Sequence, residues 1–578
     1  MKFRWSLAPS QPLLAGQLAS QLKVSPLLAQ CLLNRGFSET ASMERFLAPR
    51  LKDLADPFLL PDMDKAVERL YRARAQGESL VIFGDYDVDG ITSTALLMEV
   101  LRPLGWRVDF YLPNRLEEGY GLSADGAENC LKKFLRATSG GLESKTLLLA
   151  VDCGSTAVET IRTLRERGVE VMVLDHHQVS DPAPDAVALV NPQLNGNFRE
   201  LCSAGLAFKL AHALLKRGRE MNLPGAAEFN LKPLLDLVAL GSIADLVPLS
   251  GENRILVSAG LRQLNQSQRP GIAALKQAAQ TVEKIGTYEV GFQLAPRLNA
   301  AGRLETAESA LRLLLAKNPE EAMPLAKNLD EQNRERQKIE KSIVEQVIAT
   351  LRAKFNPQDD FVIVEGQLLW HIGVVGIVAS RVLQEFYRPT IIIGGENGEM
   401  RGSGRSIAGF DLAAALRECN GLLVHHGGHA MAAGLSILPE KIDLLREKLN
   451  DLARRTLKPE DLQPWLRLDA EVGLDEMGLQ TLAELEQMKP CGQGNPAAQF
   501  CARHLSHARP LQRIGAEKRH VKMWVNDGGT TREAVWWNGG EASLPVGKFD
   551  LAFQPQINAF NGNRTIQLKV LDWKPAPS

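Results

Sequence analysis

The sequence predicts an α/β protein in which a mainly parallel sheet is followed by a second α/β domain and a small all-β domain. Three patterns indicate this order. From about residue 62, short apolar runs alternate with helical segments, which favours parallel strands joined by right-handed crossovers. The stretch 325–355 lacks glycine and proline and is densely charged, as is typical of a long exposed helix. After about residue 465, short alternating runs are separated by turn residues, which indicates a small barrel.

These patterns divide the 578 residues into five segments. The first contains short helices, one of which begins at Ser25-Pro26 as N-cap and first helical residue. The segments are an N-terminal helical segment at 1–60, a parallel-sheet domain at 61–304, a connecting helix at 305–355, a second α/β domain at 356–460 and an OB-like β domain at 461–578. At about 150 residues per domain, a chain of this length is expected to contain three or four domains, with the shorter segments connecting or extending them.

The composition excludes several classes of protein. The net charge of −1 means that the chain is not a polycation, so binding of nucleic acid would need local basic patches. The seven cysteines are odd in number and show no CxxC spacing, which favours free thiols in a reducing cytoplasm. No apolar stretch reaches the roughly 20 residues that span a bilayer, so we expect no membrane association.

Acidic residues follow the predicted strands of the first sheet. Strands are predicted at Ser79–Phe83, Thr146–Val151 and Val169–Leu174. They are followed in turn by Asp85, Asp87 and Asp89, by Asp152, and by Asp175-His176-His177. The carboxyl ends of parallel strands meet at one edge of a sheet, where open α/β folds gather their sites. The sequence therefore predicts that these side chains lie together.

The fourth acidic group is the single residue Asp245, which lies between Gly241 and Pro248, and these two residues predict a loop around it. Asp236 is the competing candidate, and we favour Asp245 because of that loop. Carboxylates with one or two imidazoles suit Mg²⁺ or Mn²⁺, and two such ions roughly 3.5–4 Å apart cleave phosphoesters. Taken alone, the first acidic group is more often a solvated turn or a helix N-cap. The coincidence of four groups favours metal binding.

The sequence thus predicts a centre for two ions with a defined set of side chains. The predicted metal ligands are Asp85, Asp87, Asp89, Asp152, His176 and Asp245. The candidate catalytic residues are Asp87, Asp89, His176 and His177. We expect His177 to contact a substrate phosphate or to assist proton transfer, and Asp175 to orient a neighbouring imidazole.

Basic and hydroxyl side chains near glycines are candidates for binding phosphate, because glycine lets backbone N–H groups approach an anion. Arg401, Ser403 and Arg405 surround one predicted glycine-rich turn, and His429 follows another. Asn299 and Arg303 are predicted to lie in a similar setting. In the loop after the strand at 107–112, Arg115 is a candidate for binding a 5′-phosphate and Tyr120 for stacking on a base. The alternative is that both side chains only anchor the loop.

The C-terminal domain interleaves basic and aromatic residues, a pattern that fits binding of a single strand. The alternative is that the tryptophans belong to the core and the charges to a solvated surface. The residues concerned are Arg503, His504, His507, Arg509, Arg513, Lys518, Arg519, His520, Lys522, Trp524, Trp536 and Trp537. The preceding loop, Cys491–Pro496, has no chemical role that the sequence reveals.

The acidic segments resemble the motifs of a known family. The stretches GDYDVDG at 84–90, VDCG at 151–154, DHH at 175–177 and GSIADLVPL at 241–249 resemble the four motifs of the DHH phosphoesterases. GGHAMAAG at 427–434 resembles the signature of the associated DHHA1 domain. PRLNAAGR at 296–303 and RGSGRS at 401–406 resemble the branch of the family that degrades single-stranded DNA. In small family members the first motif begins with a histidine, and here Asp85 would take that role.

The resemblance implies processive 5′-to-3′ hydrolysis of single-stranded DNA to mononucleotides with two Mn²⁺ or Mg²⁺ ions, in DNA recombination and repair. It also implies a single-strand-binding protein and a helicase as partners. A DHH phosphoesterase for very short oligonucleotides or cyclic dinucleotides is the closest alternative, and the C-terminal β domain argues against it. A non-catalytic DNA-bound scaffold is a second alternative, against which the complete acidic and histidine set argues.

Overall fold

The structure is a computed structural model that describes residues 3–115, 117–135, 146–281, 284–304, 306–396, 399–560 and 563–577. It contains two compact units. The first, here called the barrel unit, consists of Met1–Ala48, Lys338–Lys489 and Ala497–Ser578. The second, here called the aspartate unit, consists of Pro49–Gln337 and Pro490–Pro496.

The N-terminal segment of the barrel unit is one strand followed by three short helices. These are β1 (Arg4–Leu7), α1 (Pro12–Leu22), α2 (Pro26–Leu33) and α3 (Thr40–Leu47). The side chain of Ser25 accepts a hydrogen bond from the Leu28 amide, which confirms the predicted start of α2. Leu28 and Met43 are fully buried in a core that these helices share with the C-terminal strands.

The aspartate unit contains the predicted parallel sheet. Its elements are α4 (Met63–Gln76), β2 (Ser79–Gly84), α5 (Val88–Leu101), β3 (Arg107–Tyr111), α6 (Ala124–Leu135), β4 (Thr146–Val151), α7 (Val158–Glu166), β5 (Glu170–Leu174) and β6 (Ala188–Val190). The strands are all parallel in the order β3-β2-β4-β5-β6, which confirms the prediction. Separate apolar clusters cover the two faces of the sheet, so β2, β4, β5 and β6 are largely buried on both sides, whereas the edge strand β3 exposes Arg107 and Asp109.

Helices complete the aspartate unit. They are α8 (Ser203–Glu220), α9 (Leu235–Ala244), α10 (Gly251–Gln266), α11 (Pro270–Ala279), α12 (Thr287–Glu289), a π-helical turn (Val290–Leu294), α13 (Ala295–Leu304) and α14 (Glu308–Leu315). Helix α5 packs against both α8 and α9. This packing brings the start of α8 and the end of α9 to the carboxyl edge of the sheet, beside the acidic segments.

The predicted long helix is α15 (Pro319–Lys354), and residues of it belong to both units. It begins at Pro319, after the start of the connecting segment at 305 but before the stretch at 325–355, because Pro324 lies inside the helix instead of ending a preceding segment. Proline costs one backbone hydrogen bond there, and the rest of the helix continues past it. No helix within the described segments is long and apolar enough to cross a membrane.

The middle of the barrel unit is the predicted second α/β domain. Its elements are β7 (Ile363–Gln367), α16 (Val375–Phe386), β8 (Thr390–Glu396), β9 (Glu399–Arg405), α17 (Leu412–Glu418), β10 (Leu423–His429), β11 (Ala432–Ile437) and α18 (Ile442–Thr456). The strand order is β10-β11-β9-β8-β7, with β7 and β8 parallel and the other pairs antiparallel.

Both glycine-rich turns predicted in this domain are wrong, since Gly402–Gly404 lies within β9 and Gly427–Gly428 within β10. The glycines of β9 are needed for close packing. A Cβ on Gly402 would lie 3.0 Å from Ile393 Cγ1, and a Cβ on Gly404 would lie 2.5 Å from Leu412 Cδ2. The glycines therefore let neighbouring side chains cover the strand directly.

The C-terminal part of the barrel unit is the predicted OB-like β domain. Its elements are β12 (Trp465–Leu468), β13 (Ala470–Glu471), α19 (Leu479–Leu485), β14 (Phe500–Ile514), β15 (His520–Asn526), β16 (Thr531–Trp536), β17 (Phe549–Phe560) and β18 (Asn563–Pro575). The order is β13-β14-β15-β16-β18-β17, and an additional β14–β17 pairing closes the barrel. Strand β1 pairs in parallel with β12.

Candidate metal centre

The first acidic segment joins β2 to α5. Asp87 is the N-cap of α5, and its Oδ1 accepts hydrogen bonds from the amides of Asp89, at 2.9 Å, and Gly90, at 3.1 Å. Asp85 lies buried just before it. A Cβ on Gly90 would lie 2.5 Å from the Asp85 carbonyl oxygen, so only glycine lets the segment fold back this tightly. The local backbone thus brings three carboxylates into one turn.

The start of α8 fixes two carboxylates. Asp89 accepts hydrogen bonds from the amides of Ser203, at 2.7 Å, and Ala204, at 2.8 Å. The Ser203 hydroxyl donates to Asp152 Oδ1 at 2.9 Å. Asp152 follows β4 with a φ of 64°, a strained conformation for a residue other than glycine. Ser203 is a contributor that the sequence pattern did not reveal.

His176 lies where several carboxylates converge. Its Nε2 is 3.5 Å from Asp152 Oδ1, 3.5 Å from Asp245 Oδ2 and 3.9 Å from Asp89 Oδ2. Within the described residues this buried nitrogen has no hydrogen-bond partner. Carboxylate oxygens together with an imidazole nitrogen form a donor set that suits divalent cations such as Mg²⁺ and Mn²⁺.

The side chains group into three sets of potential ligands whose donor atoms lie within 4.8 Å of one another. The sets are Asp85, Asp87 and Asp152; Asp89, His176 and Asp245; and Asp152, His176 and His177. All six predicted ligands occur in these sets, and Asp152 and His176 are each shared between two of them. A shared carboxylate such as Asp152 has two oxygens and is suited to bridging two neighbouring cations, whereas His176 can donate its Nε2 to one cation at a time.

Burial and mutual repulsion make the carboxylates difficult to ionise without a cation. Burial, reinforced by the charge of Asp87, raises the pKa of Asp85 to about 8 and that of Asp89 to about 6. Burial and the neighbouring Asp89 raise the pKa of Asp245 to about 9. The same causes raise the pKa of Asp152 well above its usual range. A bound cation would remove this cost.

Asp175 holds the second histidine in place. Its Oδ1 accepts a hydrogen bond from His177 Nδ1 at 2.7 Å and another from the His176 amide at 2.8 Å. Although burial opposes both shifts, this pairing lowers the pKa of Asp175 and raises the pKa of His177 to about 9. The other nitrogen of His177, Nε2, lies 3.1 Å from the Tyr120 hydroxyl.

The two candidates for the fourth acidic group, Asp236 and Asp245, lie in different surroundings. Asp236 is buried in an ion pair with Arg269, with an Nε–Oδ2 distance of 3.1 Å. Asp245 is the C-cap of α9 and reaches His176. The loop predicted from Gly241 is wrong, because Gly241 lies inside α9. A Cβ there would lie 2.8 Å from Asp89 Oδ1, so this glycine allows α9 to approach the acidic segment.

The candidate nucleic-acid residues of the aspartate unit lie around the same segment. The Arg115 guanidinium is 5.3 Å from the centroid of the Tyr86 ring, and the exposed Tyr120 ring is 6.3 Å from it. Asn299 accepts a hydrogen bond from the Val88 amide at 3.1 Å. Asn299 and Arg303 lie on α13, so the glycine-rich loop predicted for them is wrong.

The remaining candidates lie in the barrel unit. Arg405 donates through Nη1 to Ser403 Oγ at 3.1 Å, and Arg401 lies on the same strand. A Cβ on Gly376 would lie 2.9 Å from Ser403 Oγ, so both side chains lie against the first turn of α16. His429 is exposed on β10. The start of α16 was not predicted from the sequence, although Gly373 signals a turn just before it.

Comparison with known proteins agrees with this arrangement. Models of three families match the chain: the DHH family N-terminal domain at residues 79–242, the DHHA1 domain at 359–455 and the RecJ OB domain at 468–572. The single-stranded-DNA-specific exonuclease RecJ of Bacillus subtilis is 36% identical over 99% of this chain and 71% of its own length. The enzyme of that name from Escherichia coli is 36% identical over 94% of this chain and 95% of its own length.

A solved structure is similar along the whole chain. The crystal structure of RecJ in complex with Mn²⁺ from Thermus thermophilus has a TM-score of 0.84 and 30% sequence identity, and covers 100% of this chain and 80% of the other. The three domain models, the relatives that match nearly the whole of this chain and the similar solved structure lead to one conclusion. The chain belongs to the RecJ family, whose curated members are named single-stranded-DNA-specific exonucleases.

Proposed function

We propose that this protein is a metal-dependent exonuclease that hydrolyses single-stranded DNA from the 5′ end to mononucleotides. The observation that carries the proposal is the unsatisfied His176 Nε2 facing three carboxylates at 3.5–3.9 Å. Relatives that share this fold are single-stranded-DNA-specific exonucleases, and RecJ of Thermus thermophilus has been solved with Mn²⁺ and with Mg²⁺.

The residues fit a pair of such cations. Asp85, Asp87, Asp89, Asp152, His176 and Asp245 are the proposed ligands, with Asp152 placed to be shared. Mn²⁺ and Mg²⁺ accept carboxylate and imidazole donors of this kind. When bound, two cations polarise the scissile phosphate and lower the pKa of the attacking water.

His177 is the proposed contact for the substrate phosphate. Asp175 fixes its ring through Nδ1 and favours the protonated form, so Nε2 can donate to a phosphate oxygen. In the structure the Tyr120 hydroxyl lies at that position, 3.1 Å from His177 Nε2. The strand would therefore take over this hydrogen bond as its phosphate arrives. Asp175, which faces His177, is a positioning residue.

The remaining candidates hold the strand. Arg115 would bind the 5′-phosphate, and the exposed Tyr120 ring would stack on a base. Phosphates along the strand are proposed to contact Asn299, Arg303, Arg401, Ser403, Arg405 and His429. The seven cysteines are free thiols, which supports a reducing, cytoplasmic location. A single-strand-binding protein and a helicase are the proposed partners, since both supply or accompany unwound DNA.

Binding of Mn²⁺ is expected to release protons at pH 7, because several of the proposed carboxylate ligands have raised pKa values. Without a cation the pKa values of Asp85 and Asp245 are about 8 and 9, so both carboxyls are mainly protonated at that pH. A cation binds the ionised forms, so the apparent affinity should rise with pH. Calorimetry in buffers of different ionisation enthalpy measures the released protons. An affinity that is constant between pH 6 and 9 would contradict the proposed ligand set.

The barrel is the proposed second contact for DNA, and Arg513 tests it. Arg513 is exposed on β14, where its Nε donates to the Gly540 carbonyl at 3.2 Å. Arg513→Ala should weaken DNA binding and reduce the slope of log K against log salt by about 0.7, the value for one phosphate contact on a single strand. Arg454→Ala is the matched control, because Arg454 is exposed in the same unit, pairs with Asp451 at 2.9 Å and is not among the candidate DNA-binding residues. Equal slopes for Arg513→Ala and wild type would remove Arg513 from the DNA path.

One assay tests the proposed function against its alternatives. The purified protein with Mn²⁺ is given a long single strand labelled at the 5′ or the 3′ end, the corresponding blunt duplex, and a labelled dinucleotide. We expect immediate release of labelled mononucleotide from the 5′-labelled strand and a progressively shortened 3′-labelled strand. Preference for the dinucleotide would support the oligonucleotide phosphoesterase. Binding without turnover would support the scaffold.

A further inference from the structure

A cavity of about 240 Å³ lies in the aspartate unit, and its lining includes residues on both sides of Asp245 in the chain. Ile243 and Leu246, which flank Asp245 in the chain, line one side of it. Consecutive Cα atoms are about 3.8 Å apart, so this wall begins one residue from a carboxylate that reaches His176. Along the chain, the cavity wall therefore adjoins one of the proposed metal ligands, Asp245.

The opposite side carries two exposed aromatic rings. Tyr288 and Phe292 are 61% and 69% exposed, and their ring centroids are 5.0 Å apart. They lie where α12 passes into the π-helical turn, a helix irregularity that is frequent at functional sites. Leu246, at 72% exposure, faces the same cavity. A cluster of large apolar side chains left open beside a cleft is typical of a ligand site.

The third wall is the loop Cys491–Pro496, for which the sequence offered no role. Thr287 Oγ1 donates to the Cys491 carbonyl at 2.7 Å, and the Leu249 amide donates to the Gln493 carbonyl at 2.7 Å. A Cβ on Gly492 would lie 2.8 Å from Leu249 Cδ1, so glycine lets the loop lie flat on this segment. The wall is therefore held in place, although it comes from a distant part of the sequence.

We propose that this cavity is a subsite for one nucleobase of the strand under hydrolysis, next to the scissile phosphate. The inference rests on the proposed function. Aromatic and aliphatic walls accept the face of any base, which suits an exonuclease that must pass every sequence. The volume is below the roughly 300–1,000 Å³ of sites for drug-sized ligands, so it fits a ring system better than a whole nucleotide. Because the cavity is lined by residues next to Asp245, we favour the DNA substrate as its occupant over an apolar peptide of a partner protein.

The test uses 5′-phosphorylated single strands that carry one abasic residue at each of the first positions in turn. With the wild-type protein and Mn²⁺, we expect kcat/KM to fall about tenfold or more when the abasic residue occupies the position whose base fills the cavity. Phe292→Ala should show the same loss on the unmodified strand. In this variant the abasic residue at that position should cause no additional loss, because the base and its contact are removed together.

Two controls isolate the effect. Met221→Ala removes an apolar side chain of the same unit that is 57% exposed and lies outside the cavity, and it should leave the abasic profile unchanged. Phe292→Trp should restore most of the activity, which a purely structural role would not predict. Melting temperatures check folding, and the exposure of Phe292 means that its removal empties no core.

The possible outcomes separate this inference from the proposed function. The nucleobase subsite would be overturned if the loss from Phe292→Ala and the loss from the abasic residue added independently at every position. Wild-type kinetics for Phe292→Ala on all strands would overturn it as well. In both cases the exonuclease proposal would stand. Failure of the wild-type protein to degrade any single strand would instead remove the proposed function itself.

Discussion

His176→Ala is expected to lower kcat for hydrolysis of single-stranded DNA by about a thousandfold or more. The Nε2 of His176 is the point at which Asp89, Asp152 and Asp245 converge, within 3.5–3.9 Å. Without the imidazole these carboxylates lose the neutral donor that completes their ligand sets. Because Nε2 has no hydrogen-bond partner within the described residues, its loss leaves no donor or acceptor unpaired. The melting temperature of the metal-free protein should therefore change by only about a few degrees.

The measurement is single-turnover hydrolysis with Mn²⁺ in excess, together with the rise in melting temperature that Mn²⁺ produces. Both should be large for the wild type and small for His176→Ala, since a ligand stabilises only the state that binds it. His212→Ala is the matched control. His212 lies on α8 of the same unit and also has a ring nitrogen without a partner among the described residues, but it is absent from the three ligand sets. Near wild-type kcat in His176→Ala would contradict the proposed centre.

The acidic part of the centre could be predicted because strand ends are visible in the sequence. Fully buried parallel strands appear as continuous apolar runs, and β4 was predicted with the bounds that the structure shows. Asp152 then had to lie at the carboxyl edge. Ser203, which donates to Asp152, gave no such signal, because a serine at a helix start is usually a simple cap. Its role depends on tertiary packing of α8 that no local pattern encodes.

Glycine was the main source of error. The motif at Gly402–Gly404 and the residue Gly241 were both interpreted as turns, yet they lie in β9 and in α9. A glycine that permits a turn and one that permits close packing look the same in a single sequence. Only the neighbours, such as Leu412 against Gly404, distinguish the two cases. The loop at Cys491–Pro496 shows the same limit, since its partner Thr287 lies 204 residues away.

Gly241→Ala should destabilise the protein by about 1–3 kcal/mol and weaken Mn²⁺ binding at the same time. The added methyl group would lie 2.5 Å from Thr92 Oγ1, 2.6 Å from Ala204 Cβ and 2.8 Å from Asp89 Oδ1. All these atoms are buried between α5, α8 and α9, so none can move into solvent. Relief of the clash must shift α9 or displace Asp89, and either movement separates Asp245 from its neighbours in the centre.

Chemical denaturation and a Mn²⁺ titration of the same variant measure the two effects. Gly16→Ala is the control, because Gly16 is also inside a helix but a Cβ there meets no atom within 4 Å. That variant should be as stable as the wild type or slightly more stable, since alanine is the better helix former. If Gly241→Ala lost stability but kept wild-type Mn²⁺ affinity, α9 would not be the element that sets the position of Asp245. Coupled losses would instead show that the helix packing positions the carboxylates that bind the cations.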